Sequence, residues 1–321
     1  GKDLYLYGLI NPQIEPQDLI LMEKTAITIV ADVSGSMSGS SLRQMQAAII
    51  AFINDLPEQH YINIIAFDND QYKLFKNPKP ANINTKQRAL KFVRNLEGGG
   101  GTEMFPPVYE AILDKTPLPM KQQIVLMTDG AIDYETTMMA VVHEHIGDKR
   151  FHVVGIGSAP NSFLIKGLAK AGRGSYLYVE DNIKNKIKEL LFKINRPLLE
   201  NLRVVMPQQH DILPKRFPDI LSAEPITFFL KIPNTKMADL TKSFTIKGNQ
   251  QSRAWKFSIT PDQIQKGKYL DQLWAREKVA DISFQKAIGF INSVQHEQQV
   301  RDIGLTHHLI TKLSLIHISE P

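Results

Sequence analysis

Between residues 23 and 197 the chain alternates short β-branched, apolar runs with amphipathic stretches of helical length, and few architectures accommodate that alternation. Thr25 to Ala31 reads Thr-Ala-Ile-Thr-Ile-Val-Ala, the continuous apolar run of a strand buried on both faces. Leu42, Met45, Ala48, Ile49, Phe52, Ile53 and Leu56 follow at helical spacing, with Ser40 and Ser41 offering an N-cap and Pro57 a stop. The same reading predicts strands at 61–67, 71–75, 123–128, 151–157 and 175–179. It predicts helices at 85–96, 104–114, 134–146, 162–171 and 183–195. The expected fold class is therefore α/β: a doubly wound, Rossmann-like domain with a mainly parallel sheet covered on both faces.

After Pro197 the pattern changes. Residues 200–206, 226–232, 242–247 and 254–259 alternate and are separated by Pro, Gly and Asn. They predict a small antiparallel β domain over 198–269, to which the strand-like residues 1–10 pair, leaving the α/β domain as an insert. A helical segment follows over 270–312, and Trp255 and Trp274 are expected as core anchors of this second domain. A length of 321 residues suits one large domain plus a smaller one.

The first strand runs directly into Asp32-Val33-Ser34-Gly35-Ser36. Alone this triplet is weak, since average residue usage produces it in on the order of one chain in ten of this length. Its position adds weight, because open parallel sheets bind ligands outside the carboxyl ends of their strands. Two further loops reach that edge. One holds Gly98 to Gly101, Thr102 and Glu103, and the other Thr128, Asp129 and Gly130. Carboxylates and hydroxyls are hard oxygen donors that suit Mg²⁺ or Mn²⁺. Mg²⁺ takes six oxygens at about 2.0–2.1 Å and keeps several waters. Two carboxylates and three hydroxyls leave it a position for an incoming oxygen, such as an acidic side chain of a partner.

Other chemistries are disfavoured. The glycine run ends in Thr-Glu-Met, lacking the Gly-Lys-Ser/Thr of a phosphate-binding loop, so no nucleotide is expected. A net charge of +5 is modest, and the densest basic stretch, Lys184 to Lys188, has no aromatic platform; it reads as a solvated helix face and not a nucleic-acid surface. The absence of cysteine excludes disulfides and thiolate sites. His143-Glu144-His145 lacks zinc-ligand spacing and reads as a solvated face. His307 and His308 read as surface or packing, Met138 and Met139 as core, and Asp68-Asn69-Asp70 as a solvated turn.

Asp32, Ser34, Ser36, Thr102 and Asp129 resemble, position by position, the metal-ion-dependent adhesion site of von Willebrand factor A domains. The resemblance implies that Ser34, Ser36 and Thr102 contact a Mg²⁺ or Mn²⁺ ion while Asp32 and Asp129 act directly or through water. It implies a protein ligand presenting an Asp or Glu carboxylate. Gly35, Met37, Ser38, Gly101, Glu103 and Gly130 are the expected ligand-binding loop residues around it. Gly155 to Ser162, Gly172 to Tyr176, residues 192–197 and Trp274 to Ala280 are similar to a narrower group. That group is the marine proteobacterial sortase target proteins, relatives of inter-alpha-trypsin inhibitor heavy chains. Membership implies that residues 1–22 lead in from a missing VIT region. It also implies a cell surface or envelope location, with membrane attachment only through an absent carboxyl-terminal anchor. Residues 313–321 depart from the group and resemble a translated sequencing adaptor, so no biological role is expected of them.

Three functions follow as expectations. The leading one is metal-dependent protein capture of the adhesion type. A structural scaffold of an envelope assembly is the alternative. A Mg²⁺-dependent phosphatase built on Asp32 is disfavoured, because the acid/base two residues on would be Ser34.

Overall fold

The computed structural model describes residues 3–12, 24–116, 120–130, 132–180, 182–195, 197–221, 225–237, 240, 243–250 and 253–310. The expected tail 313–321 and most of the lead-in 1–22 lie outside these residues. The chain divides into two compact units, residues 16–196 and residues 1–15 with 197–321. In chain order the elements begin with β1 (Leu4–Ile10), which belongs to the second unit.

The first unit contains β2 (Thr25–Asp32), α1 (Ser40–Asp55), β3 (Tyr61–Phe67), β4 (Gln71–Lys73), β5 (Lys79–Pro80), α2 (Ile83–Arg94), α3 (Phe105–Leu113) and β6 (Lys121–Thr128). It continues with α4 (Glu135–His145), β7 (Arg150–Ile156), α5 (Ser162–Ala171), β8 (Arg173–Val179) and α6 (Ile183–Asn195). Its sheet runs β4-β3-β2-β6-β7-β8, with β5 also on β3. Pairings among β2, β3, β6, β7 and β8 are parallel, and β4 is an antiparallel edge. This is the doubly wound, mainly parallel α/β arrangement that the alternation predicts.

All eight residues of β2 are buried, which is why it reads as a continuous apolar run. Ile27, Ile29 and Ala31 share a core cluster with Met45, Ile49 and Phe52 of α1, Ala89 and Val93 of α2, and Ile187 and Leu190 of α6. Each such fully buried large side chain contributes roughly 1.5–3 kcal/mol. Helix α3 packs on β2, β3 and β6, and α4 packs on α5, which lies against β7 and β8. Met138 and Met139 are fully buried, as expected. Ser40 and Ser41 do not cap α1. Gly39 holds the N-cap position at φ 74°, and no side chain caps the helix. A left-handed backbone there favours glycine, so the serines become the first helical residues.

The second unit adds β9 (Pro197–Val205), β10 (Asp211–Leu213), β11 (Ile220–Leu221), β12 (Ile226–Ile232), β13 (Phe244–Gln250), β14 (Arg253–Ile259), α7 (Leu270–Ala287) and α8 (Ser293–His307). β1 pairs antiparallel with β12 from Leu4↔Ile232 to Ile10↔Ile226, in a sheet of order β1-β12-β10. A second sheet runs β11-β9-β13-β14. Trp274 is 4% exposed and packs with Leu213, Ala275, Tyr5 and Phe229. His307 is buried beside it, 5.6 Å from its ring. Trp255 is not a core anchor: it is half-buried on the edge strand β14, stacked on Phe257 at 6.3 Å. An edge strand of an open sheet leaves its aromatics in solvent. The helical segment is broken at Gly289, with α8 restarting behind an Asn292 capping box. Among the described residues no helix is long and apolar enough to cross a membrane.

Candidate metal site

The carboxyl ends of β2 and β6 lie side by side, and Asp32 is the last residue of β2. Asp32 is 0% exposed, and both carboxylate oxygens are held. Oδ1 accepts the Ser34 amide at 2.9 Å, and Oδ2 accepts the Thr128 hydroxyl at 2.5 Å. Ser34 is buried, and its hydroxyl lies 3.2 Å from that of exposed Ser36. Gly35 to Met37 form a single 3-10 turn, which brings the two hydroxyls together. Gly35 and Ser38 are exposed along this loop. Met37, expected as a ligand-binding loop residue, is 0% exposed and belongs to the core cluster. The tight turn directs its apolar side chain inward, so it anchors the loop from below.

Backbone bonds tie the glycine loop to this turn. The Gly35 amide donates to Gly100 O at 3.0 Å, and the Gly99 amide donates to Val33 O at 2.9 Å. Gly100 has φ 72°, and an added Cβ would meet Asn69 and Asp68 at 3.2–3.3 Å. Asn69 itself accepts the Gly101 amide on Oδ1 at 2.8 Å. The Glu103 amide donates to Asp68 O at 2.7 Å, while Glu103 and Gly101 are exposed. Half-buried Thr102 is fixed through its carbonyl, which accepts the Tyr134 hydroxyl at 3.1 Å. The same Tyr134 oxygen accepts the Met104 amide at 3.0 Å.

The third loop starts from Thr128, whose Oγ1 also accepts the Gly130 amide at 2.9 Å. Asp129 O accepts the Asn161 amide at 2.8 Å, and Gly130 O accepts Asn161 Nδ2 at 3.1 Å. Asn161 also caps α5, accepting the Phe163 and Leu164 amides, and its Nδ2 reaches Glu135. Gly130, expected as a ligand-binding residue, is buried at φ 80°, and an added Cβ would lie 2.8 Å from Asn161 Cβ. It permits the turn instead of presenting a contact.

Burial pushes the Asp32 carboxyl above its usual range against the pull of the Ser34 and Thr128 hydrogen bonds, and the Asp129 carboxylate adds to the rise. A cation from solution would relieve the cost of charging this buried carboxylate beside a second one. The donors are all hard oxygens, and their chemistry fits Mg²⁺ or Mn²⁺. Among the described residues no three His, Asp or Glu side chains converge to hold a metal ion. A site here therefore depends on hydroxyl ligands.

The other motifs stay outside the site. His145 lies on α4, edge-on to Tyr109 at 5.5 Å. Asp68 accepts the Asp70 amide in an exposed turn, but Asn69 within that turn supports the glycine loop. Sequence reasoning missed Asn69, Tyr134 and Asn161 as supports. The one local signal was at Asn161, a preferred cap residue ahead of a predicted helix.

Residues 25–178 match the sequence profile of the von Willebrand factor type A domain. A von Willebrand factor A domain-containing protein of Dictyostelium discoideum is 29% identical over 185 residues, 57% of this chain and 20% of that protein. Inter-alpha-trypsin inhibitor heavy chain H3 of Bos taurus is 20% identical over 338 residues, 95% of this chain and 37% of that protein. The chain thus spans between a fifth and two fifths of these relatives' lengths. Among solved structures, the von Willebrand factor type A protein from Catenulispora acidiphila superposes with a TM-score of 0.63 at 14% identity, covering 95% of this chain and 87% of that one. That likeness establishes the fold. With the parallel sheet, the loops at its carboxyl edge and the profile match in agreement, residues 25–178 of this chain are a von Willebrand factor type A domain.

Proposed function

We propose that the domain captures an acidic side chain of a partner protein at a divalent cation, Mg²⁺ or Mn²⁺, held by Asp32, Ser34, Ser36, Thr102 and Asp129. The bound ion would supply the positive charge that draws the partner carboxylate. The protein supplies the rest. Ser34 and Thr128 orient Asp32, and the backbone bonds between the Gly35 and Gly100 loops hold the hydroxyl-bearing segments in register. The observation that carries this reading is the buried Asp32 carboxylate, both oxygens engaged, beside two hydroxyls 3.2 Å apart. Domains of this family are generally protein-interaction modules, which supports binding over catalysis.

The reading is non-enzymatic, since Ser34 stands where a phosphoryl-transfer site would need a second acid. Location at the cell surface or envelope, and membership of the sortase-target subgroup, extend the same proposal and rest on the motifs from Gly155 to Ala280. Water-proton relaxation with Mn²⁺ tests the capture step. Mn²⁺ on the chain should enhance relaxation, and a short Asp-containing peptide should reduce the enhancement by displacing bound water. No enhancement, or an enhancement indifferent to the peptide, would contradict carboxylate capture.

A further inference from the structure

Beside the candidate metal site a groove of about 850 Å³ opens between edge strand β4, helix α2 and the glycine loop. Val33, Asp68 and Gly98 to Gly100 line it, so it is continuous with the loops that build the site. Its apolar lining comes from Leu74, Phe92 and Leu96, with Tyr72, 48% exposed, beside them. Helix α2 carries Lys86, Arg88, Lys91 and Arg94 and no acidic residue. Arg88 and Lys91, spaced i and i+3, sit on one face and line the groove. Arg88 is set over the Phe75 ring at 4.6 Å, which restrains the guanidinium at the groove wall. Asp68 and Glu97 also line it, both on the segments at the loop end, so the charge runs from acidic there to basic along α2.

We infer that this groove holds the segment of the partner next to the captured carboxylate, and that the segment is an extended acidic peptide. An apolar residue would fill the Leu74–Phe92–Leu96 floor, and a second Asp or Glu would meet Arg88 and Lys91. The partner signature is therefore an acidic residue, then an apolar residue, then a further acidic residue downstream of both. Paired charges of this kind add register and partner choice to a metal contact that any carboxylate could make. The inference rests on the metal-capture reading but can fail separately from it.

Two fluorescent peptides test it on the full chain with Mg²⁺: Asp-Leu-Gly-Glu-Glu, and Asp-Leu-Gly-Gln-Gln with the trailing acids neutralised. Fluorescence polarisation should show the acidic peptide binding about tenfold more tightly. Arg88→Ala with Lys91→Ala, both exposed and outside the metal site, should remove that advantage and leave the neutralised peptide unchanged. Asp32→Ala should weaken both. No saturable binding of the acidic peptide, or binding the double variant leaves intact, overturns the groove assignment. Loss in the double variant with no response to Asp32→Ala or chelator retains the groove and overturns the metal reading. Metal-independent binding of heparin, lost in the double variant while the acidic peptide does not bind, would reassign α2 to a sulfated polysaccharide and overturn the peptide inference.

Discussion

The Thr128 hydroxyl joins Asp32 to the third loop: Oγ1 donates to Asp32 Oδ2 at 2.5 Å and accepts the Gly130 amide at 2.9 Å. One oxygen at the end of β6 thereby sets both the carboxylate and the turn that follows Asp129.

Thr128→Val keeps the shape and removes that oxygen. A buried carboxylate oxygen and a buried amide each lose a partner, which costs roughly 1–3 kcal/mol. Groups that orient ligands without touching the ion typically change metal affinity by about 10- to 100-fold. Urea unfolding and Mg²⁺ titration of the variant should show both losses. A normal Mg²⁺ affinity would mean that Asp32 needs no such support.

Asp32→Asn should separate stability from binding. Burial and the neighbouring Asp129 disfavour the charged carboxylate in the metal-free protein. The neutral amide should therefore leave the metal-free melting temperature equal or higher, while the rise on adding Mg²⁺ disappears. A large drop without metal would assign Asp32 a structural role.

Asn161→Ala removes a helix cap, the side-chain bond to Gly130 O in the Asp129 loop and the contact with Glu135 of α4 together. Loss of such a cap costs about 1 kcal/mol. Hydrogen exchange should quicken at Phe163 and Leu164, and Mg²⁺ affinity should fall. Asn69→Ala, at an exposed position, should lower Mg²⁺ affinity with little change in melting temperature.

Two buried histidines give the fold an acid limit. His152 donates from Nε2 to Gln123 Oε1 at 2.9 Å and accepts the Ser175 amide on Nδ1 at 3.0 Å. Burial, with Arg150 nearby, pushes its pKa down to about 3. His60 accepts the Thr25 amide and is also held below the usual range by burial. Unfolded histidines take a proton near pH 6.5, so below that pH the unfolded chain binds more protons than the folded one. The His152 contribution is complete above about pH 6.5 and is lost as pH falls towards 3, by up to about 1.4 kcal/mol per pH unit, and the His60 contribution falls in the same direction. Urea midpoints from pH 7.5 to 4.5 should fall, and His152→Gln should flatten the decline.

The sheet was legible because each strand and helix carries its own period; α5 falls on the residues the spacing predicts. Asp32, Ser34, Ser36, Thr102 and Asp129 were legible as motifs at strand ends and in a glycine loop. Their supports were not. Asn69, Tyr134 and Asn161 each act on residues about thirty positions away, through single bonds that leave no periodic trace. Met37 was misread because a polar loop hides that its 3-10 turn points one side chain inward. β10 and β11, at three and two residues, are too short for any alternation to register.

Calorimetric titration of Mg²⁺ and Mn²⁺ into the chain, beside an Asp32→Ala, Ser34→Ala double variant, tests the central claim most directly. Saturable one-site binding in the wild type that the double variant loses is the expected result. Absent binding, or binding indifferent to the double substitution, would leave a von Willebrand factor type A fold without a working metal site and contradict metal-dependent capture.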